Sequence, residues 1–421
     1  MVRLEDNKFY TADKPLEALP LPAKVYIPLS QHLGKPCFPL VKAGDCVSLG
    51  QKIGSADAHV YSLVHSSVSG RVKAVTDWPH PVLGRAKVVV IEADDSCGPQ
   101  RIDYSLREDV DKLTPESIKN IIFDSGIVGM GGASFPTHIK LNPPKPVEAL
   151  IINGAECEPC LTADYRLMLE KTQEIIKGIE LVEKCLGVKK VFIAIEDNKP
   201  QAIKAFRRFN YNVFVLSSAY PQGGEKQLTK SVLNKEVPRG KLPFDLGVVV
   251  HNVATVFAIY QAVYLNKPLY ERIVTVTGSI VNKPKNLLVR IGTPIKELIA
   301  YCSPLKEDPA KIISGGPMMG IAQYSDEVPV IKSTNGILLL GKKEAVPLQE
   351  EYCIRCGACV RECPAGLLPC MINLASERSI WQEAISYGAL DCIECGVCSY
   401  VCPANRRLVQ SIKRAKLEAV R

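Results

Sequence analysis

The sequence contains no long hydrophobic run. Its longest apolar fragments, such as GILLLG and LGVVV, fall far short of the ~18 consecutive apolar residues that a membrane-spanning helix needs. The opening MVRLEDNKFYTADKPLEALPLP lacks the apolar core of a secretory signal, so the chain is expected on the cytoplasmic side of the cell membrane, touching it only through partners. Basic clusters interleaved with aromatics are also missing, which argues against nucleic acid as a partner. The six histidines, His32, His59, His65, His80, His138 and His251, offer no ligand pair at i and i+4, so no metal bound through imidazole is expected.

What is present is a globular composition with an unusual cysteine content. At 421 residues, 47% hydrophobic and 23% charged, the chain is long enough for two to four domains of ~100 to 200 residues each. Sixteen cysteines in a chain without a secretory signal are not expected to form a disulfide framework, because the cytosol keeps thiols reduced. Half of them stand in two copies of one phrase, CIRCGACVRECP from Cys353 and CIECGVCSYVCP from Cys392, and such a repeat points to metal.

Each copy is spaced C-x2-C-x2-C-x3-C-P. Three thiolates two residues apart wrap one corner of a cubic iron-sulfur cluster, and the small Gly357 or Gly396 lets the loop close. The fourth lies too far along for the same cube and, in two-cluster ferredoxins, ligates the other one. Cys353, Cys356, Cys359 and Cys402 are therefore expected to hold one 4Fe-4S cluster, and Cys392, Cys395, Cys398 and Cys363 the second. Zinc is the alternative, but its usual two C-x2-C pairs leave the remaining cysteines unused. Between the copies, Leu374, Ile380, Trp381, Ala384 and Ile385 fall near helical spacing, with Ser376 or Ser379 as a cap and Cys370 as core packing, which predicts an α-helical ferredoxin. The tail from Asn405 carries six basic residues against one acidic. It reads as a solvated helix or as a docking helix for an acidic partner or a membrane surface.

Ahead of the cysteines, PESIKNIIFDSGIV reads as an amphipathic helix entering GMGGASFPTHIKL. Glycines there let backbone amides approach an anion, although the loop is not the G-x-G-x-x-G fingerprint. VEALIINGAECEP reads as a buried parallel strand, Ala149 to Ile152, ending in Asn153, Glu156 and Glu158. Polar groups at that end are where open α/β sheets bind ligands. KVFIAIED and YNVFVLSSAYPQGGE add two strand-and-loop units, with the helix EIIKGIELVEKCLG ahead of the first.

GMGGASFPTHIK, NGAECEP, YPQGGE and HNVAT, in this order and ahead of a cysteine-rich end, resemble the NADH-binding flavoprotein of respiratory complex I. With two full ferredoxin phrases and its amino-terminal segment, the chain resembles still more closely the C subunit of the Rnf ion-translocating electron transport complex. The resemblance implies FMN held by Gly129, Gly131, Gly132, Lys140, Asn153, Glu156, Tyr220, Gly223, Asn252 and Thr255, and NAD(H) over it against Phe135, Glu158 and Glu225. Ala155, Gly224 and His251 depart from the complex I pattern. Membrane and cytoplasmic subunits of that complex are the implied partners, and sodium ions or protons the implied cargo. The chemistry is coherent: NADH gives two electrons as hydride and a cluster takes one, so a flavin must stand between. No catalytic base is needed.

Residues 25 to 92 resemble a biotinyl or lipoyl carrier, a barrel-sandwich hybrid, yet no acceptor lysine stands between Lys52 and Lys73. Residues from Arg272 to about Gly320 resemble the β-grasp domain that binds soluble ligands, with GGPMMG read as ordinary turns and core methionines or, less readily, as a cluster's flank. Cys157 and Cys160 are read as packing or as a redox pair. The expected fold is multidomain, α/β plus β: a barrel-sandwich hybrid at 1–100, a Rossmann-like FMN/NADH domain at 101–268, an SLBB-like β-grasp domain at 269–345 and a helical two-cluster ferredoxin at 346–421. A cobalamin reductase of the propanediol-utilisation type, with the same layout, and a conduit that has lost NADH binding are the alternative readings.

Overall fold

A computed structural model describes all residues except Pro347, Val420 and Arg421. Four parallel strands, Ala149–Gly154, Lys190–Glu196, Asn212–Leu216 and Val248–Asn252, form one sheet in which Ala149–Gly154 lies between Lys190–Glu196 and Val248–Asn252. Their near-continuous apolar runs follow from burial on both faces, which parallel sheets with helical crossovers require. Helices Thr172–Leu186 and Val253–Leu265 cover one face together with Pro115–Asp124, whose buried face is Ile118 and Ile122. Thr114 caps that last helix by accepting the Ser117 N–H, and Pro115 fits its first turn, where no amide partner is lost. Gly178 lets the first two helices meet: a Cβ there would stand 2.3 Å from the Val256 carbonyl oxygen.

The barrel is built from an antiparallel sheet, Lys24–Pro28, Gly84–Ala93, Gly70–His80 and Cys46–Val47, facing a second sheet of three short strands. Val25, Ile27, Ile53, Val72, Val89 and Ile91 fill the space between them. Contrary to the expectation of reduced thiols, Cys46 and Cys97 form a disulfide. They are brought together by the strand pairing of Cys46 with Arg71 and by the short helix Asp95–Cys97.

The β-grasp part is a six-stranded sheet covered by helix Ile295–Tyr301, and its edge strand, Leu16–Ala18, pairs in parallel with Lys285–Arg290. Strand Leu16–Ala18 thus lies in the β-grasp sheet and not in the barrel sheets. The barrel begins at Lys24, while the residues ahead of it serve the β-grasp sheet and the loops of the ligand crevice.

The C-terminal part is helical, with Leu367, Ile372, Ala375, Ala384, Leu408 and Ile412 as its core. The expected caps are not used. Ser376 lies inside helix Pro369–Glu377 and bonds back to the Ile372 carbonyl, and helix Trp381–Ser386 begins after Ile380 without a side-chain cap. Leu374 faces outward at 40% exposure. The basic tail is helix Leu408–Ala419, docked through Leu408, Ile412 and Ala415. Its cations are engaged: Lys413 and Lys416 pair with Glu394, Arg406 and Arg407 with Glu350, and Arg414 lies over the Trp381 ring. Arg421 lies outside the described residues.

Candidate functional site

From Ala149–Gly154 the chain crosses to one side through the next two strands and returns on the other as Val248–Asn252, which makes a topological switch point. Ligand crevices in open α/β sheets lie at the carboxyl ends of strands at such points. Register places Asn153 opposite Asn252 there. Asn252 accepts the Ala254 N–H at 2.9 Å, capping helix Val253–Leu265, and donates through Nδ2 to Asp164 at 2.6 Å. Thr255 Oγ1 accepts the Met130 N–H at 2.9 Å and ties the glycine loop to that helix. Gly131 lies so close that a Cβ would stand 3.3 Å from Asn252 Cβ, whereas Gly132, at φ +131°, faces open space.

Asn153 Nδ2 donates to the Gly223 carbonyl at 2.9 Å, and the Gly223 N–H donates to Cys157 Sγ at 3.2 Å. Lys140 pairs with Glu225 at 2.5 Å and so joins the glycine-loop segment to the PQGGE helix. His251 is buried with Nε2 unpartnered, and burial followed by the Lys140 charge holds its proton affinity well below the usual range. The structure thus gathers Gly131, Asn252 and Thr255 on one strand end, and Asn153, Gly223, Glu225 and Lys140 around its neighbour. Side-chain-free amides, a cation and an orphaned imidazole nitrogen suit a phosphate-bearing ring cofactor. Phe135 is half-buried beside them in the chain, after the glycines.

The AECEPC loop faces two ways. Glu156 accepts the Asp164 and Tyr165 N–H groups at 2.7 and 3.0 Å, serving the amino end of helix Ala163–Glu170. Glu158 accepts the Met318 and Met319 N–H groups at 2.6 and 3.1 Å; burial raises its pKa and these amides oppose the rise. Asp164, which no sequence motif marks, is pushed up to about 7 by burial and then by Glu156. Cys157 and Cys160 are free thiols raised by burial to about 12 and about 11.

Tyr220 joins this region to the cysteines. It is buried and donates to the Cys395 carbonyl at 2.7 Å, within an apolar cluster that includes Cys157, Met318, Cys395 and Val397. The GGPMMG segment therefore lies against the second cysteine phrase: a Cβ on Gly396 would stand 2.7 Å from the Met318 oxygen. Only tertiary contact reveals this.

The two phrases fold alike. Arg355 and Glu394 have φ of 56° and 58°, Gly357 and Gly396 of 74° and 84°, and helices Ala358–Arg361 and Val397–Tyr400 follow. Cys363 crosses over to line, with Cys392, Cys395 and Cys398, a small apolar pocket. Cys402 crosses the other way, into the electrostatic neighbourhood of Cys359 and Cys370. Cys353 and Cys356 are exposed, whereas Cys395 and Cys398 are buried and raised by that burial to about 11 and about 12. Thiols so placed ionise when a metal takes the proton's place. The Leu367 N–H reaches Cys363 Sγ and the Glu394 N–H reaches Cys392 Sγ, the type of bond that tunes cluster potentials.

A crevice at a switch point, coupled through one tyrosine to a domain with two crossed cysteine loops, defines the class of iron-sulfur flavoproteins. Family models described as the RnfC barrel sandwich hybrid domain, the Nuo51 FMN-binding domain, the SLBB domain and the 4Fe-4S dicluster domain match residues 2–96, 122–261, 273–322 and 345–403. The C subunit of the proton-translocating ferredoxin:NAD(+) oxidoreductase complex of Clostridium ljungdahlii is 47% identical over 99% of this chain and 93% of that protein. The C subunit of the Na(+)-translocating counterpart in Acetobacterium woodii is 46% identical over 98% and 95%. The chain belongs to the family of C subunits of Rnf-type ion-translocating oxidoreductase complexes. An NAD+-reducing NiFe hydrogenase shares the fold at a TM-score of 0.52 and 16% identity, over 75% of this chain and 63% of that one.

Proposed function

We propose that this chain carries electrons between NAD(H) and two 4Fe-4S clusters, as the peripheral subunit of an ion-translocating complex on the cytoplasmic face of the membrane. When bound, FMN supplies the exchange between hydride and single electrons. The residues around it bind and orient. Gly129, Gly131 and Gly132 offer amides to the phosphate, Lys140 adds charge, Asn153, Tyr220, Gly223, Asn252 and Thr255 shape the seat, and Glu156 holds its loop on helix Ala163–Glu170. Phe135, Glu158 and Glu225 border the nicotinamide. Cys353, Cys356, Cys359 and Cys402 hold one cluster, and Cys363, Cys392, Cys395 and Cys398 the other.

The observation that carries this reading is the Tyr220 hydroxyl on the Cys395 carbonyl. It joins the ligand crevice to the buried cysteines, so a cluster held by Cys363, Cys392, Cys395 and Cys398 would stand nearer the flavin and would supply its one-electron partner. Cys353 and Cys356 are exposed, so a cluster held by them with Cys359 and Cys402 would suit one-electron exchange with a partner protein of the complex. Among the described residues no helix is long and apolar enough to cross a membrane, so the ion path belongs to other subunits. The test is anaerobic: NADH is mixed with FMN-loaded, iron-reconstituted protein while flavin absorbance and cluster paramagnetic resonance are followed. Bleaching of the flavin followed by a reduced-cluster signal is expected, and an unchanged flavin spectrum would reject the reading.

A further inference from the structure

The residues ahead of the barrel run beside the Ala155–Leu161 loop and bond to it. Val2 exchanges backbone hydrogen bonds with Tyr220 at 3.0 and 2.8 Å, and the Asp6 carbonyl accepts the Cys160 N–H at 2.7 Å. Lys8 makes the largest contribution. Its buried ammonium donates to the carbonyls of Glu156 and Glu158 at 2.9 Å each and of Leu161 at 2.6 Å. Three donors meet three acceptors, so the group is satisfied. A second buried ammonium, Lys199, takes the Ala155 carbonyl at 2.6 Å and Glu196 at 2.8 Å.

The loop needs such a hold. Glu156 and Cys160 adopt φ of 47° and 68°, which side-chain-bearing residues avoid. The alternating turns leave carbonyls pointing inward, where an unbonded one is costly. An ammonium held by carbonyls alone is itself costly to bury, and burial lowers the Lys8 proton affinity while Glu156 and Glu196 oppose the fall. A merely solvated lysine has no reason to sit there.

We propose that Lys8 is a positioning residue of the ligand crevice: its ammonium fixes the Glu156–Leu161 carbonyls and so aims Glu156 at helix Ala163–Glu170 and Glu158 at the Met318 turn. This rests on the function proposed above. A domain-spanning contact of this kind makes the segment ahead of the barrel part of the redox site, and misplacing groups by about 1 Å can cost ~100-fold in rate.

The experiment compares the loaded full chain with Lys8→Met and with Val72→Ala, a cavity variant in the barrel core. Two readouts are taken: NADH-to-flavin electron transfer by stopped flow, and amide hydrogen exchange of residues 155–162 without cofactor. Lys8→Met is expected to slow transfer about tenfold or more and to speed exchange at Cys160 and its neighbours. Iron content and dithionite-reducible clusters stay as in wild type, and Val72→Ala changes neither readout. Unchanged exchange in Lys8→Met, or equal losses in both variants, would overturn the proposal. If Lys8→Met does not accumulate, Lys8→Gln, which offers fewer donors to the three carbonyls, is judged by the same criteria. Should wild type itself fail to oxidise NADH, the proposed function falls, and the exchange data alone decide the role of Lys8.

Discussion

At the scale of the residue, the crossed cysteines are the sharpest prediction. In Cys363→Ser the cavity shared with Cys392, Cys395 and Cys398 loses one wall, and iron is expected to fall from about eight to about four per chain. Alkylation mapping then finds Cys392, Cys395 and Cys398 reactive while Cys353, Cys356, Cys359 and Cys402 remain protected. The opposite labelling pattern contradicts the crossing. Asp164 supplies a pH prediction. Its carboxyl is raised from 3.8 to about 7 in the folded chain, so the folded state holds its proton longer, and stability is lost as pH rises from about 4 to about 7. Asp164→Asn, which keeps an acceptor for Asn252, is expected to resist urea better than wild type by ~1 kcal/mol at pH 8, with the difference gone at pH 4. These two residues were unequally legible. Cluster cysteines are readable because ligand type and spacing are local requirements. Asp164, Lys8 and Met318 act through partners 88 to 160 positions away, and no local pattern marks them.

At the scale of the element, three of the four α/β strands and the helices Pro115–Asp124 and Thr172–Leu186 were legible from apolar runs, whereas strand Val248–Asn252 and helix Val253–Leu265 were not singled out. The shared position of Asn153 and Asn252 was not, since it depends on which strands become neighbours. Helix termini in the cluster part were also illegible, because backbone and cysteine loops, not serine caps, set Pro369–Glu377 and Trp381–Ser386. The contact between Thr172–Leu186 and Val253–Leu265 gives an element-level test. Gly178→Val would drive a side chain into the Val256 carbonyl, and overpacking of this kind costs ~1–3 kcal/mol. Because Val253–Leu265 carries Thr255 and starts at Asn252, FMN retention on a desalting column should fall along with the denaturation midpoint.

At the scale of the whole molecule, the four-part architecture was legible through resemblance, while the sharing of the first twenty residues between the β-grasp sheet and the crevice loops was not. Strand Leu16–Ala18 is too short to announce its partner. The acid response is a property of the whole. Burial, and for His32 and His65 also the Lys332 charge, lowers His65 to about 3 and His32 and His138 to about 4, and lowers His80 as well. Unfolding restores their ordinary value of 6.5, so these groups leave stability intact above pH 6.5 and erode it as pH falls from 6.5 toward 4, by up to ~1.4 kcal/mol per pH unit for each. The urea midpoint followed by tryptophan fluorescence, with Trp78 stacked on Tyr26 at the outer face of the barrel sheet and donating to the Glu327 carbonyl, is expected to drop steeply from pH 6.5 to pH 5. A flat profile would show that these imidazoles stay hydrated.

The exchange of Cys363 and Cys402 between the two loops has a consequence for biogenesis. With ligand sets crossed in this way, neither loop could be transplanted or assembled alone, since each would lack one thiolate held by the other. Damage to one crossing thiolate would therefore be felt at the cluster across from it and not at the one beside it.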